Sequence, residues 1–260
     1  MSNIENHPDL SIVTVCLNAA STLNAALISV GNQQSVDGRV EHIIIDGGST
    51  DASLAIIENY AESHPDVRWI SEKDNGIADA FNKGIRLASG KIIGFVMADD
   101  ALADDYVLKD VLSEFDAHKD VDVLTGKLQL GANVKELVEK PGFKTMLLSL
   151  FGLKNKMGIY TPHPSTYIKK SVYNQIGLYN IDFKIAMDYE YFLRLRKAGF
   201  KERRFDRLVY KMSDQGVSNL KPIDAALESY RAAKMHNIPF IIRSIRLIKT
   251  ILSKKLAILR

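Results

Sequence analysis

Asp99 and Asp100 follow the apolar run Lys91 to Met97, and two adjacent carboxylates at such a point can give oxygen ligands to Mg²⁺ or Mn²⁺. Hard ions of this kind also bind phosphate oxygens, so the pair could hold a diphosphate that it would otherwise repel. The competing reading is an acidic loop, solvated or capping the next helix. Asp104 and Asp105 fit that second reading better. Asp46 opens Asp46-Gly47-Gly48-Ser49-Thr50-Asp51, where a carboxylate can accept from a base N–H or a ribose hydroxyl and the glycines allow close backbone approach. The same hexapeptide is equally a loop ending in an N-cap. Asp188 stands at the start of a helical pattern, where backbone N–H groups favour the ionised form and where plain N-capping is the alternative.

The elements that must position these groups alternate in the first half of the chain between strand-like and helix-like patterns. Such alternation implies βαβ units and a mainly parallel sheet. Leu10 to Leu17 reads as a buried strand ending at Asn18, and Ser21 as the N-cap of a helix with apolar positions Leu23, Ala26, Leu27 and Val30. Val40 to Ile45 is the second strand, and Asp51 caps the helix after it. Val67 to Ser71, Ile77 to Ala88 and Lys91 to Met97 follow as strand, helix and strand. Open α/β sheets bind ligands outside the carboxyl ends of their strands, which is where Asn18, Asp46, Asp74, Asp99 and Asp100 fall. A helix from Asp104 to His118 and a strand from Val121 to Thr125 complete this half. The pattern weakens from Gly131 to Tyr160, the expected acceptor-facing part. It returns with Ser165 to Ile168, the helix Asp188 to Ala198 stopped by Gly199, and a strand from Phe205 to Tyr210.

Composition narrows the classes. In 260 residues, 46% hydrophobic and 25% charged side chains are ordinary for a globular protein, and a net charge of +3 gives no argument for nucleic-acid binding. The one cysteine, Cys16, lies in an apolar run and cannot form an internal disulfide, which suits a reducing cytoplasm. Met1 to Asp9 is polar and acidic, without the apolar core of an export signal, and no stretch reaches the roughly 18 apolar residues of a spanning helix. No G-x-G-x-x-G follows the first strand and no P-loop occurs, which removes the main support for dinucleotide and NTPase readings. No His and Cys cluster argues for zinc.

The ordered set Ser11-Ile12-Val13-Thr14-Val15-Cys16-Leu17-Asn18, Ile44-Ile45-Asp46-Gly47-Gly48-Ser49-Thr50-Asp51, Asp74-Asn75-Gly76, Asn82-Lys83-Gly84-Ile85, Ser89-Gly90-Lys91 and Ala98-Asp99-Asp100 resembles the family 2 glycosyltransferases. The likeness runs from about Leu10 to Ser218 and is nearest to bacterial members that build O-antigen, capsule and other surface polysaccharides. It implies a GT-A fold, an α/β architecture with a mixed, mainly parallel sheet flanked by helices. It also implies a nucleotide-sugar donor surrounded by Thr14, Asn18, Asp46 and Asp74, with Asp99 and Asp100 holding ribose, diphosphate and Mn²⁺ or Mg²⁺. Two departures stand out in this half: Met97 takes the first position of an often Asp-x-Asp-Asp signature, and Phe81 replaces a common Arg. Lys73 or Lys83 is the candidate for the missing charge at the donor.

In the second half, Ile185-Ala186-Met187-Asp188-Tyr189-Glu190 is similar to the family's acidic helix start, whose Asp is the general base and whose preceding Glu is Met187 here. Glu190 is expected to face a neighbouring cation. Thr161-Pro162-His163-Pro164-Ser165-Thr166 resembles a segment lining donor sugar and acceptor, so that His163 and Ser165 are either sugar contacts or structural. Gly216-Val217-Ser218 resembles a loop closing over the donor. The expected organisation is a catalytic domain over 9–218, with nucleotide-sugar-binding (9–125) and acceptor-binding (126–218) halves, followed by a helical extension over 219–260.

That extension carries Arg243, Arg246, Lys249, Lys254, Lys255 and Arg260 among Ile, Leu and Phe residues, with no acid after Glu228. A basic amphipathic helix of this composition suits an anionic membrane surface, the alternative being packing on the domain or a second subunit. The whole reading is a cytoplasmic enzyme, peripheral on the inner face of the plasma membrane. It would move a hexose or N-acetylhexosamine, from UDP in the favoured case, to a lipid-diphosphate-linked saccharide with inversion. A sugar-nucleotide-forming nucleotidyltransferase is the main alternative, but Asn18-Ala19-Ala20-Ser21-Thr22 lacks the Gly-rich basic loop expected of one. A non-catalytic membrane-associated partner is the third, motivated by Met97 and Met187.

Overall fold

A computed structural model describes residues 8–36, 39–131, 133–135, 162–213, 220–244, 247–248 and 250–251. The chain forms two compact units, the first comprising Met1–Leu137, Thr161–Leu178 and Phe200–Ser213, the second Val138–Tyr160, Tyr179–Gly199 and Asp214–Arg260.

The first unit is built on β1 (Leu10–Cys16), whose seven residues are all buried. A strand covered on both faces has no polar alternation, which is why this one reads as a continuous apolar run. It pairs in parallel with β2 (Val40–Asp46) on one side and with β4 (Ile92–Met97) on the other, and β2 pairs in parallel with β3 (Arg68–Ser71). The connecting helices are α1 (Leu23–Gly31), α2 (Ser53–Ser63) and α3 (Ile77–Leu87). Leu23, Ala26, Leu27 and Val30 give α1 its buried stripe. Chain order reverses at β1, whose neighbours are β2 and β4, so the crevice beyond the carboxyl ends of β1 and β4 is a topological switch point.

Beyond β4 come β5 (Ala101–Leu102), α4 (Val107–Ala117), β6 (Val123–Leu130), β7 (Asn133–Lys135), β8 (Thr166–Lys169), α5 (Lys170–Ile176) and β9 (Glu202–Met212). The sheet order is β3-β2-β1-β4-β8-β6-β9-β5, with β7 on β6. β8 runs antiparallel to β4 and β6, while β6 and β9 pair in parallel. Among these, β6 and β9 extend well past the expected Val121 to Thr125 and Phe205 to Tyr210. Along β9 exposed residues alternate with half-buried ones, so its flanks carry no apolar signal, and its length comes from pairing with β6.

The second unit contains α6 (Met187–Ala198), stopped by Gly199 in the left-handed conformation at φ 82°, and α7 (Pro222–Met235). The buried face of α7 is Ala225, Ala226, Ser229, Ala232 and Ala233, small residues that leave no large-apolar periodicity to read. Residues 240–244, 247–248 and 250–251 are helical, and 252–260 of the expected extension lie outside the described residues.

Neither expected cap residue holds the cap position. Ala52 precedes α2 there without a side-chain cap bond, and Asp51 Oδ1 accepts the Ser53 N–H at 2.9 Å from one residue earlier. Ser21 does not cap α1: Thr22 holds the cap position and makes no side-chain cap bond. The loop before α1 is stitched to the next one instead, through Ala19 N–H to Ser53 Oγ at 2.9 Å and Ala20 N–H to Asp51 Oδ2 at 3.0 Å.

Candidate active site

At the carboxyl end of β2, Asp46 is completely buried. Its Oδ1 accepts from the Ser49 hydroxyl at 2.5 Å and faces the Cys16 thiol at 3.5 Å. Its Oδ2 accepts from Ser71 Oγ at 2.6 Å, Ser49 N–H at 3.0 Å and Gly48 N–H at 3.2 Å. Burial pushes the carboxyl upward, but the donors from Ser49, Ser71 and Cys16 outweigh it and hold Asp46 below the usual carboxylate range. Asp46 is therefore an ionised organiser of the loop.

The loop it shapes positions Asn18, which has a left-handed backbone at φ 49°. Asn18 N–H donates to Ser49 Oγ at 2.8 Å, and its Oδ1 accepts the Thr50 N–H at 2.8 Å. Asp74 lies just beyond β3 and accepts Gly76 N–H at 2.8 Å. Its other oxygen packs against Gly47 so closely that a Cβ at 47 would sit 2.3 Å from it. Glycine is required there because the carboxylate occupies the space of a side chain.

Thr14 is corrected. It is fully buried, and its hydroxyl pairs with His42 Nε2 at 2.9 Å inside the core. Cys16, two residues on, is the β1 side chain that meets the loop, and burial and the Asp46 charge push its thiol far up, leaving it unreactive. Lys83, the other expected donor residue on this side, has partners of its own. Its ammonium meets Glu72 at 3.0 Å, Asp79 at 3.9 Å and the Lys73 carbonyl at 3.0 Å, so it braces the loop before α3.

Asp99 and Asp100 follow β4 in opposite environments. Asp99 is exposed, whereas Asp100 is 6% exposed. Asp100 Oδ1 accepts Ser213 N–H at 2.7 Å and Oδ2 accepts the Tyr210 hydroxyl at 3.1 Å, while Tyr210 Oη accepts Met97 N–H at 2.9 Å. Burial raises the Asp100 carboxyl to about 7, with the Asp99 charge adding to it and the two donors opposing it. Asp104 follows the bland expectation, accepting the Tyr106 N–H just before α4 at 3.0 Å and pairing with Arg207.

His163 and Ser165 are 5% and 0% exposed on a short 3-10 turn. The His163 ring stacks on Phe81, with centroids 4.9 Å apart, and lies 5.1 Å from Phe95. Burial pushes its pKa down to about 4, which favours the neutral ring. Gly216 lies outside the described residues. In the second unit, Asp188 Oδ1 accepts the Tyr189 N–H at 2.6 Å in the first turn of α6. Glu190 is buried and faces a cation as expected, meeting Arg194 at 3.0 Å, and it also meets the His236 ring at 3.0 Å. Composition alone offered no signal for Ser71, Tyr210 or Ser213, whose donors are brought to Asp46 and Asp100 by strand pairing.

No group of three or more His, Cys, Asp or Glu side chains poised for a metal occurs among the described residues. Mg²⁺ is ordinarily bound through one or two carboxylates together with substrate phosphates, and Asp99 beside Asp100 meets that requirement. A cavity of about 500 Å³ lined by Arg39, Lys91, Phe115 and Lys170 opens at the opposite, amino-terminal ends of β1 and β4, away from these acids.

The fold is that of GT-A glycosyltransferases. The chain superposes on Staphylococcus aureus TarS 1-349 in complex with UDP with a TM-score of 0.67 at 18% identity, covering 94% of this chain and 70% of that one. It superposes on the Pyrobaculum calidifontis mannosyltransferase PcManGT in complex with GDP-Man and Mn²⁺ with a TM-score of 0.68 at 15% identity, covering 96% and 75%. The profile of "Glycosyl transferase family 2" matches residues 11–177. An uncharacterized glycosyltransferase of Mycobacterium tuberculosis is 30% identical over 187 residues, 72% of this chain and 68% of its own. A PGL/p-HBAD biosynthesis glycosyltransferase of Mycobacterium bovis is 29% identical over 189 residues, 72% and 69% of the two chains. The protein belongs to glycosyltransferase family 2 and is a glycosyltransferase.

Asp100 gives a pH signature. Its carboxyl is raised from 3.8 to about 7 on folding, so the folded state holds a proton that the unfolded state releases across that interval. Stability from this group is full below pH 3.8 and is lost as pH rises through 7. Thermal unfolding of the protein without added metal should therefore show wild type losing stability relative to Asp100→Asn between about pH 5 and pH 8. Parallel curves for the two proteins would contradict the assignment.

Proposed function

We propose that the protein transfers a hexose or N-acetylhexosamine, with inversion, from a UDP-sugar to a lipid-diphosphate-linked saccharide in surface-polysaccharide assembly. The observation that supports the donor half is the placement of Asn18, Asp74 and Asp99 beyond the carboxyl ends of β1, β3 and β4, parallel strands of one sheet, in a family 2 chain. Asn18 and Asp74 recognise the nucleoside, Asp46 and Lys83 brace their loops, and Asp99 with Asp100 holds Mn²⁺ or Mg²⁺ against the donor diphosphate. The ion, when bound, supplies positive charge where the leaving nucleoside diphosphate becomes more negative. Asp188 takes the proton from the acceptor hydroxyl, whose oxygen then attacks the anomeric carbon as the bond to the diphosphate breaks. The titration of this step needs an ionised carboxylate, which the first turn of α6 favours.

The acceptor half of the proposal rests on the second unit's surface. Of the twelve exposed large apolar side chains among the described residues, eight lie in 220–251: Leu220, Ile223, Leu227, Met235, Phe240, Ile241, Ile248 and Ile251. Asp224 and Glu228 lie among the earlier of these, and beyond Glu228 the charges are all Lys and Arg; exposed apolar area beside cations favours an anionic membrane surface, where a lipid-linked acceptor resides. Among the described residues no helix is long and apolar enough to cross a membrane, so contact would be peripheral.

The direct test is transfer from UDP-sugars with Mn²⁺ to a lipid-diphosphate saccharide. Asp188→Asn should lower kcat by about 10²–10⁴ with UDP binding retained, whereas Asp99→Ala should remove the Mn²⁺-dependent part of UDP binding. Wild-type turnover by Asp188→Asn would exclude it as the base. Gly47→Ala, by displacing the Asp74 carboxylate, should weaken UDP binding about tenfold, roughly 1.4 kcal/mol by titration calorimetry, and unchanged affinity would place the nucleoside elsewhere. A chain ending at Asn237 should bind anionic liposomes less than the full chain does, and equal binding would remove the tail from the membrane contact.

A further inference from the structure

The second unit holds one carboxylate whose surroundings the proposed reaction leaves unexplained. Glu228 on α7 reaches the backbone just before α6. Its Oε2 accepts N–H groups from Lys184 at 3.0 Å, Ile185 at 2.8 Å and Ala186 at 2.8 Å, and its Oε1 accepts Lys184 N–H at 3.0 Å. Three successive N–H groups on one carboxylate are charge-assisted bonds, each stronger and more directional than a neutral one. Ala186 is the N-cap residue of α6, and its carbonyl accepts the Glu190 N–H at 3.1 Å as the helix begins. Asp188 follows it by two residues.

Other contacts show that this is a docking arrangement. One turn along α7 from Glu228, the Arg231 guanidinium lies 5.0 Å from the ring centroid of the fully buried Phe183. Beyond the carboxyl end of α7, His236 meets Glu190 at 3.0 Å. The Ala and Ser face of α7 lets the backbones approach closely enough for a glutamate to reach main chain. Nearby acids do not duplicate Glu228: Glu190 is committed to Arg194 and His236, and position 187 is a buried Met.

We infer that Glu228 is a positioning residue for Asp188, its carboxylate pinning the backbone of Lys184, Ile185 and Ala186 and so fixing the helix start that carries the base. The inference rests on the reading of Asp188 as the base. Glu228 touches neither donor nor reacting atoms. Its effect is on the geometry of proton removal, where a displacement of about 1 Å can cost about 100-fold in rate. Donor affinity belongs to the first unit and should not change.

The test compares steady-state transfer by wild type, Glu228→Ala, Glu228→Gln and Asp188→Asn, with thermal unfolding of each in parallel. Glu228→Ala should lose kcat by about 100-fold at a donor KM within about twofold of wild type. Glu228→Gln keeps one carbonyl oxygen able to accept the Ile185 and Ala186 N–H groups and should recover most of that loss. Wild-type kcat in Glu228→Ala overturns the inference, as does a donor KM that rises with the fall in kcat, or a Gln variant no better than Ala. Should the Ala variant fail to fold, Glu228→Gln must by itself show reduced kcat at unchanged donor KM, and full activity there overturns the inference. An active Asp188→Asn would instead remove the base reading, whatever the Glu228 variants do. An inactive one beside an unaffected Glu228→Ala removes only the positioning role.

Discussion

The carboxyl-terminal end of the parallel strands depends on a single buried anion. Asp46 ends β2, and its five close donors come from β1, β3 and its own loop, so one carboxylate ties the ends of three parallel strands. An ionised group without exposure is tolerated only when its lone pairs are filled, and here Ser49, Ser71, Gly48 and Cys16 fill them. Fixing Ser49 fixes Asn18, whose N–H needs the Ser49 oxygen. Fixing Gly47 leaves the space that the Asp74 carboxylate occupies. Polar groups presented at the crevice are thus positioned by one that is not presented.

Asp100 is the instructive contrast. Both acids stand at strand ends and both are buried, yet Asp46 is held low and Asp100 is raised to about 7. The difference lies in the number of donors. Asp100 has the Tyr210 hydroxyl and one backbone N–H against desolvation and the adjacent Asp99 charge, which leaves its ionised form under-compensated. A fully satisfied carboxylate organises structure, whereas an under-satisfied one takes up a proton at a much higher pH.

The first four strands and the acids beyond their ends were legible because parallel strands buried on both faces write continuous apolar runs that stop where the polar loops begin. Direction within such a strand was not legible. Thr14 and Cys16 are both buried in β1, and no polar alternation says which one meets the loop. Pairing partners were also hidden: β9 has half-exposed flanks, and α7 packs through alanines and a serine, so neither leaves the large-apolar signal that marked β1 or α1. Lys83 looked like a ligand cation because its partners Glu72 and Asp79 are not apparent until α3 and the loop before it are folded together.

Phe81 and His163 explain each other in the same way. Read separately, one is the loss of a common arginine and the other a lone histidine between prolines. In the fold Phe81 is 2% exposed and its ring is stacked on that of His163, with Phe95 on the same cluster. A guanidinium at position 81 would be buried against a neutral imidazole and the Phe95 ring, with its charge taken out of water. An aromatic residue there lets His163 pack uncharged, which its pKa of about 4 requires. The departure at Phe81 is therefore half of a packing pair, and the charge that it removes from α3 need not be replaced by Lys83 for the site to hold together.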